Sequence, residues 1–254
     1  MHFLVLSDAH ANTEYFDKLD DEFKKADAVI FAGDFTNQNE AEKAMPVLEQ
    51  LEKKSPALYA VLGNCDEPAF LEELEKRDIS VQGTMIFRDG LAFAGSGGAS
   101  IFTRTTPNER TEEELQSDFD MVAEHSAEYE EPDADGDGEA GADAKAETGA
   151  AQSDASLEWN NLIVISHNPP KDTKVDKITC GFHVGSALYR AFLETYQPLL
   201  AVSGHVHEAA AVDTIGKTTV INPGPLMEGC YAVVDIQKKD GAWAVTTASL
   251  KKLN

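Results

Sequence analysis

Apolar residues recur along the chain in short continuous runs that alternate with stretches of helical spacing. Phe3–Leu6 is apolar throughout, and Phe16, Leu19 and Phe23 then fall on one face of a predicted helix over Asn12–Lys25. Ala28–Ala32 is the next apolar run, followed by a predicted helix over Glu40–Lys53. Leu58–Leu62 repeats the pattern, with a helix over Pro68–Arg77. Three strand–helix units in succession predict parallel strands in an α/β sheet. Thr84–Phe87 and Leu91–Ala94 flank Arg88-Asp89-Gly90, whose Asp-Gly step suits a tight hairpin turn. A polar helix is expected over Glu109–His125. Leu162–Ile165 then reads as a buried strand, Gly185–Tyr196 as a helix and Leu199–Val202 as a strand. Ala210–Ile215, Thr218–Ile221, Tyr231–Ile236 and Ala242–Leu250 follow, strand after strand. No internal repeat is present. The pattern predicts a mixed sheet arrangement in a single domain, α/β first and β-rich last.

Composition adds that 254 residues at 42% hydrophobic are enough for a sizeable core, which excludes a wholly disordered chain. No window approaches the run of about 18 apolar residues that a membrane span needs. Asp8 interrupts the first apolar run too early for a secretory leader. Cys65, Cys180 and Cys230 are too few and too scattered for a disulfide framework, so a reducing, cytoplasmic setting is expected.

The formal net charge of −24 is unevenly placed. Glu109–Glu158 holds 18 acidic residues against Arg110 and Lys145, a net −16, leaving −8 on the other 204 residues. Residues from about 126 to 156 are mostly Glu, Asp, Ala, Gly and Ser, and are read as a disordered acidic insertion, a tolerated loop rather than a docking tail. Asp133–Gly138 starts like a calcium loop, but its twelfth position, where a bidentate Glu is needed, is Ala144. Without a basic patch, nucleic acid and anionic membranes are disfavoured partners. The chain shows no sign of its oligomeric state.

Ligands of open α/β sheets collect beyond the carboxyl ends of the strands. There this sequence places Asp8-Ala9-His10, Gly33-Asp34, Gly63-Asn64-Cys65-Asp66, Ser166-His167-Asn168 and Gly204-His205-Val206-His207. Singly each could be a cap, a turn former or a structural histidine. Together they put oxygen and imidazole donors at five strand ends of one chain, and burying so many without a metal is costly. Seven donors, Asp8, His10, Asp34, Asn64, His167, His205 and His207, exceed one tetrahedral site and suit two ions sharing a carboxylate. His2 and His125 are read as non-functional, and Cys180 and Cys230 as loop or small buried residues. Ser96–Ser100 reads as a glycine turn beside the site, and Asn222-Pro223-Gly224-Pro225 as a turn forming one wall of the cleft.

The motif order from Asp8 to His207 resembles the calcineurin-like metallophosphoesterase superfamily, most nearly its small prokaryotic Icc-like members. The resemblance implies a four-layer α/β/β/α sandwich with mixed sheets and a dinuclear metal centre at the C-terminal edge of the strands. It implies that Asp8, His10, Asp34 and His207 hold one ion, and Asp34, Asn64, His167 and His205 the other, with Asp34 as the bridge. The ions would be Mn, Fe, Zn or Ni, with Mn favoured for activity. The implied function is a phosphodiesterase acting on a small phosphate ester, with a metal-bridging hydroxide as nucleophile. The alternatives are a phosphomonoesterase on a nucleotide or phosphoprotein and a non-catalytic metal-binding scaffold. Cys65 departs from the pattern, because many relatives carry a proton-donating histidine there. Asp66 is a candidate for orienting a motif residue, and His183, in a glycine-bracketed loop, for replacing the missing acid or contacting phosphate.

Overall fold

The computed structural model of the chain describes residues 1–38, 40–130 and 159–253, with the backbone alone over 127–130. Its first part runs β1 (His2–Leu6), α1 (Asp20–Lys25), β2 (Ala28–Phe31), α2 (Ala44–Lys54), β3 (Leu58–Ala60) and α3 (Leu71–Glu75). The middle continues with β4 (Met85–Arg88), β5 (Leu91–Ser96), β6 (Ala99–Ser100), β7 (Glu109–Arg110), α4 (Glu112–Ser117) and α5 (Asp120–Glu130). The last part is β8 (Leu162–Ser166), α6 (Ala187–Tyr196), β9 (Leu200–Val202), β10 (Ala211–Ile215), β11 (Thr218–Asn222), β12 (Cys230–Lys239) and β13 (Ala242–Lys252).

Two mixed sheets result, ordered β13-β12-β1-β2-β3 and β10-β11-β9-β8-β5-β4. The expected parallel pairing holds: β1 lies parallel to β2 and β2 to β3, while β5, β8 and β9 run parallel in the second sheet. Strand side chains alternate between faces, so each buried run feeds two cores. In β1, Leu4 and Leu6 pack under α1 and α2, while Phe3 and Val5 face the second sheet. In β8, Ile163 and Ile165 meet the first sheet, and Leu162 and Val164 pack under α6. Three cores therefore join four layers, helix, sheet, sheet and helix, as the α/β/β/α expectation has it. Asp89 and Gly90, at φ 54° and 80°, make the hairpin turn between β4 and β5 with two left-handed residues.

Three predicted helices are shorter or broken, the one over 68–77 being α-helical only over Leu71–Glu75. Over 12–25 only α1 is α-helical, because the chain leaves β1 through left-handed residues at Asp8, His10 and Ala11, and the Asn12 side chain accepts the Glu14 amide in a turn. Over 109–125, Glu109 and Arg110 belong to a strand, and α4 starts only after Thr111, whose hydroxyl and Glu114 form a reciprocal cap. The helix breaks again at Asp118, which takes Arg110 Nη1 at 2.6 Å and the Ser96 hydroxyl at 2.9 Å.

The fold also trims the expected insertion. Helix α5 continues to Glu130, and Ser126 is buried, accepting Trp159 Nε1 at 2.8 Å and donating to Val122 O. The stretch 131–158, including the calcium-like run, lies outside the described residues. Among the described residues no helix is long and apolar enough to cross a membrane.

Phe93 sits between the sheets, 1% exposed, with its ring centroid 3.9 Å from that of Tyr59. Phe93→Ala should cost about 3–5 kcal/mol, read as a lowered urea midpoint with an unchanged m-value; a loss below about 1 kcal/mol would contradict this packing.

Candidate metal centre

Five chain reversals at the carboxyl ends of β1, β2, β3, β8 and β9 carry the motif residues to one rim. Backbone bonds stitch the first two loops together: Asp8 N donates to Gly33 O at 2.9 Å and His10 N to Asp34 O at 3.0 Å. Asp8, His10, Asp34 and His205 all have left-handed backbones, with φ between 46° and 66°. Such strain costs on the order of 1–3 kcal/mol per residue and persists only where its surroundings enforce it.

The side chains converge. His207 Nε2 lies 3.3 Å from Asp8 Oδ1 and 3.0 Å from His10 Nε2, so Asp8, His10 and His207 form one potential ion site. Asp34 Oδ2 stands between His10 Nε2 at 3.6 Å and His167 Nε2 at 3.5 Å. His167 Nε2 is also 3.0 Å from Asn64 Oδ1, and its ring centroid is 5.2 Å from that of His205. All seven predicted donors thus share one rim, with Asp34 in the middle. Cys65 joins them, its Sγ able to share an ion with His10 and Asp34 donor atoms.

Close approach depends on two glycines. A Cβ on Gly63 would stand 2.0 Å from Asp34 Oδ1, and one on Gly204 would stand 2.0 Å from Ser7 Oγ and 2.8 Å from Asp8 Oδ2. The freed space lets backbone amides reach the acids: Cys65 N donates to Asp34 Oδ1 at 2.8 Å and His205 N to Asp8 Oδ2 at 3.2 Å.

Burial alone would raise the pKa of both acids. For Asp34 the charge and hydrogen bond of His167, with His10 and the Cys65 amide, win and hold it far below the usual carboxylate range. For Asp8 the His207 hydrogen bond and the His167 charge outweigh burial and the Asp34 charge and lower it. Burial disfavours His167 as a cation, but Asp34 and Asp8 lift it to about 9. Burial and the His167 charge push His205 down to about 4. The cationic neighbours of the two acids are therefore imidazoles, and His10 Nδ1 is buried with no hydrogen-bond partner among the described residues. Divalent ions fit this set: they would answer both carboxylates and turn the imidazoles into neutral ligands.

The other candidates are placed as follows. Asp66 is buried and accepts Gly63 N at 2.8 Å and Thr36 N at 3.0 Å, so it fastens the β2 and β3 loops through their backbones. Burial and then the Asp34 charge raise it to about 7. His183 is tied to Asp176 Oδ1 at 2.7 Å and is not among the residues lining the cavity beside the donors. Ser100, after the glycine turn, does line it, bonded to Asn168 Nδ2 at 2.9 Å. The Asn222–Pro225 turn is not among those lining residues. Instead, Asn222 Nδ2 holds Val206 O at 2.9 Å, and Leu226 N and Met227 N reach Ser7 O and Asp8 O, so this segment braces the motif loops. His125 lies against the exposed Phe87 ring, away from the rim, and Cys180 is exposed. Sequence reading missed Asn108, which is buried and binds Gly63 O through Nδ2 at 3.0 Å and Asn64 O through its amide at 3.1 Å. Nothing local marks it, because its partners lie far away in sequence.

The model of the "Calcineurin-like phosphoesterase superfamily domain" matches residues 1–239. The chain belongs to this superfamily. Its curated relative MJ1162, an uncharacterized protein of Methanocaldococcus jannaschii, is 28% identical over 224 residues, covering 85% of each chain. Among solved structures, TT1561 of Thermus thermophilus superposes with a TM-score of 0.63 at 18% identity, over 92% of this chain and 93% of that one. A dimetal phosphatase from Danio rerio does so at 0.58 and 13% identity, over 99% and 98%. At such identities the likeness is one of fold. The superfamily makes this phosphoesterase a hydrolase of phosphoester bonds and implies divalent ions at the rim described above.

Gly63→Ala should push Asp34 out of place and weaken Mn²⁺ binding by about tenfold or more in calorimetry, while Gly83→Ala, strained by its φ of 61° but with Asp118 Oδ1 no nearer than 3.6 Å, should not affect it. The metal-free protein should lose stability as pH rises. The stabilisation linked to His167 is complete below 6.5 and lost through about 9. That linked to Asp66 is complete below 3.8 and lost through about 7. The depressed His205 works the other way, adding stability as pH rises from about 4 to 6.5, so urea midpoints of chelator-treated protein should fall chiefly from about pH 6.5 to about pH 9, and a flat or rising profile there would contradict the ionisation described.

Proposed function

We propose that the chain is a metal-dependent phosphodiesterase acting on a small phosphate ester. The observation that carries this reading is the convergence of Asp8, His10, Asp34, Asn64, His167, His205 and His207 on two buried, ionised carboxylates whose cationic neighbours are imidazoles. Asp8, His10, Asp34 and His207 would hold one ion and Asp34, Asn64, His167 and His205 a second. Two such ions supply a water activated for attack at phosphorus and positive charge beside the phosphoryl oxygens.

The protein's own groups fix the donors. His167 Nδ1 donates to Ala32 O at 2.7 Å, which leaves Nε2 aimed at Asn64 and Asp34. The Cys65 amide holds one Asp34 oxygen, leaving the other turned to His10 and His167. The Cys65 thiol stands where a proton donor to the leaving group is expected, yet burial and then the Asp34 charge push its pKa up. So weak an acid favours esters whose leaving group departs as a stable anion.

Metal-stripped protein reloaded with Mn²⁺ should hydrolyse bis(p-nitrophenyl) phosphate, whose leaving group needs no proton donor. Asp34→Asn should lower kcat/KM by about 10²–10³-fold. Faster turnover of p-nitrophenyl phosphate would favour the phosphomonoesterase reading. Bound metal without turnover of either ester would favour the scaffold.

A further inference from the structure

A cavity of about 480 Å³ opens directly off Asn64, His205 and His207. That volume lies within the range of about 300–1,000 Å³ usual for small-molecule sites. Away from the donors its walls are mixed, with apolar surface from Ile101 and Phe102 on the loop after β6, Ile178 and Val184 before α6, and Val206, set among polar side chains such as Thr103, Thr106 and Asn168. Phe102 is 89% exposed, Ile101 39% and Val184 38%, so apolar surface stands open at the mouth of a polar centre. A folded chain gains nothing from such a rim unless something covers it.

The charges on the walls point the same way. The charged lining side chains outside the donor set are Glu109 and Glu208, with no lysine or arginine among the lining residues. Glu109 is spent on structure: its carboxylate accepts the amides of Phe102, Thr103, Arg104, Thr105 and Thr106, which shapes the loop presenting Phe102. Glu208 accepts the Thr179 amide from the opposite wall. Both walls are therefore built around fixed carboxylates that would repel a second negative charge in the ligand.

We propose that this cavity receives the uncharged, apolar or aromatic alcohol portion of a phosphodiester, and that Phe102, with Ile101 and Val184, determines that preference. Continuity with Asn64, His205 and His207 places the phosphoryl group at the ion site and the alcohol against the apolar wall. The assignment rests on the phosphodiesterase reading for its substrate but not for its binding. A nucleoside polyphosphate or a nucleic acid strand would bring further anions against Glu109 and Glu208.

The test holds the leaving group constant. On Mn²⁺-loaded protein, p-nitrophenyl phenyl phosphate, p-nitrophenyl methyl phosphate and the 4-carboxyphenyl analogue of the first are compared, with calorimetric titration of diphenyl and dimethyl phosphate alongside. The phenyl ester should show a KM about tenfold below both the methyl and the 4-carboxyphenyl esters, and diphenyl phosphate should bind about tenfold more tightly than dimethyl phosphate. Phe102→Ser should erase these differences. Val184→Ser, on the facing wall, should erase them in part. Equal constants for phenyl and methyl ligands, or differences that survive both substitutions, would overturn the assignment. Preferential binding of diphenyl phosphate without turnover would uphold the cavity while refuting the phosphodiesterase reading.

Discussion

Two ionised carboxylates buried within reach of the same imidazole set the terms for everything around them. Asp8 and Asp34 are each almost wholly removed from solvent, and His167 acts on both. Such groups survive only if amides, cations or both meet every oxygen. The structure supplies amides from Cys65 and His205, and it brings those amides close enough by leaving Gly63 and Gly204 without side chains. The left-handed backbones at Asp8, Asp34 and His205 are a further cost of the same requirement, since an extended exit from each strand would carry the donor away from the rim.

The sandwich divides the labour. Loops after β1, β2 and β3 in the first sheet bring Asp8, His10, Asp34 and Asn64, while loops after β8 and β9 in the second bring His167, His205 and His207. Carboxylates thus come from one sheet and most imidazoles from the other, and they meet because the core of Phe3, Val5, Ile163, Ile165 and Val202 presses the sheets together. Bonds such as His167 Nδ1 to Ala32 O and Gly204 N to His167 O then fix the loops to within hydrogen-bonding tolerance.

Strand positions and the clustering of the candidate donors were legible because both rest on short-range signals. Apolar runs marked the strands, and polar residues directly after them marked the rim. Helix limits were less legible where tertiary partners intervened. Glu109 looked like a helical residue, yet its carboxylate is committed to five amides of a neighbouring loop, and the helix waits for the Thr111 cap. Asn108 and Asn222 escaped as supports because what they hold lies 45 and 16 residues away. The cavity wall was invisible for the same reason: Phe102 and Val184 share it only after both sheets have closed.

The span between donors carries a temporal meaning. His10 and His207 are 197 positions apart, as are Asp8 and His205, so a nascent chain has no finished ion site until the ribosome has delivered β9 and the loop beyond it. Loops this long close slowly and late. An ion captured at that moment would act as a clasp between the earliest and latest parts of the polypeptide, so that metal supply in the cell would influence how many chains mature, as well as how fast the mature ones work.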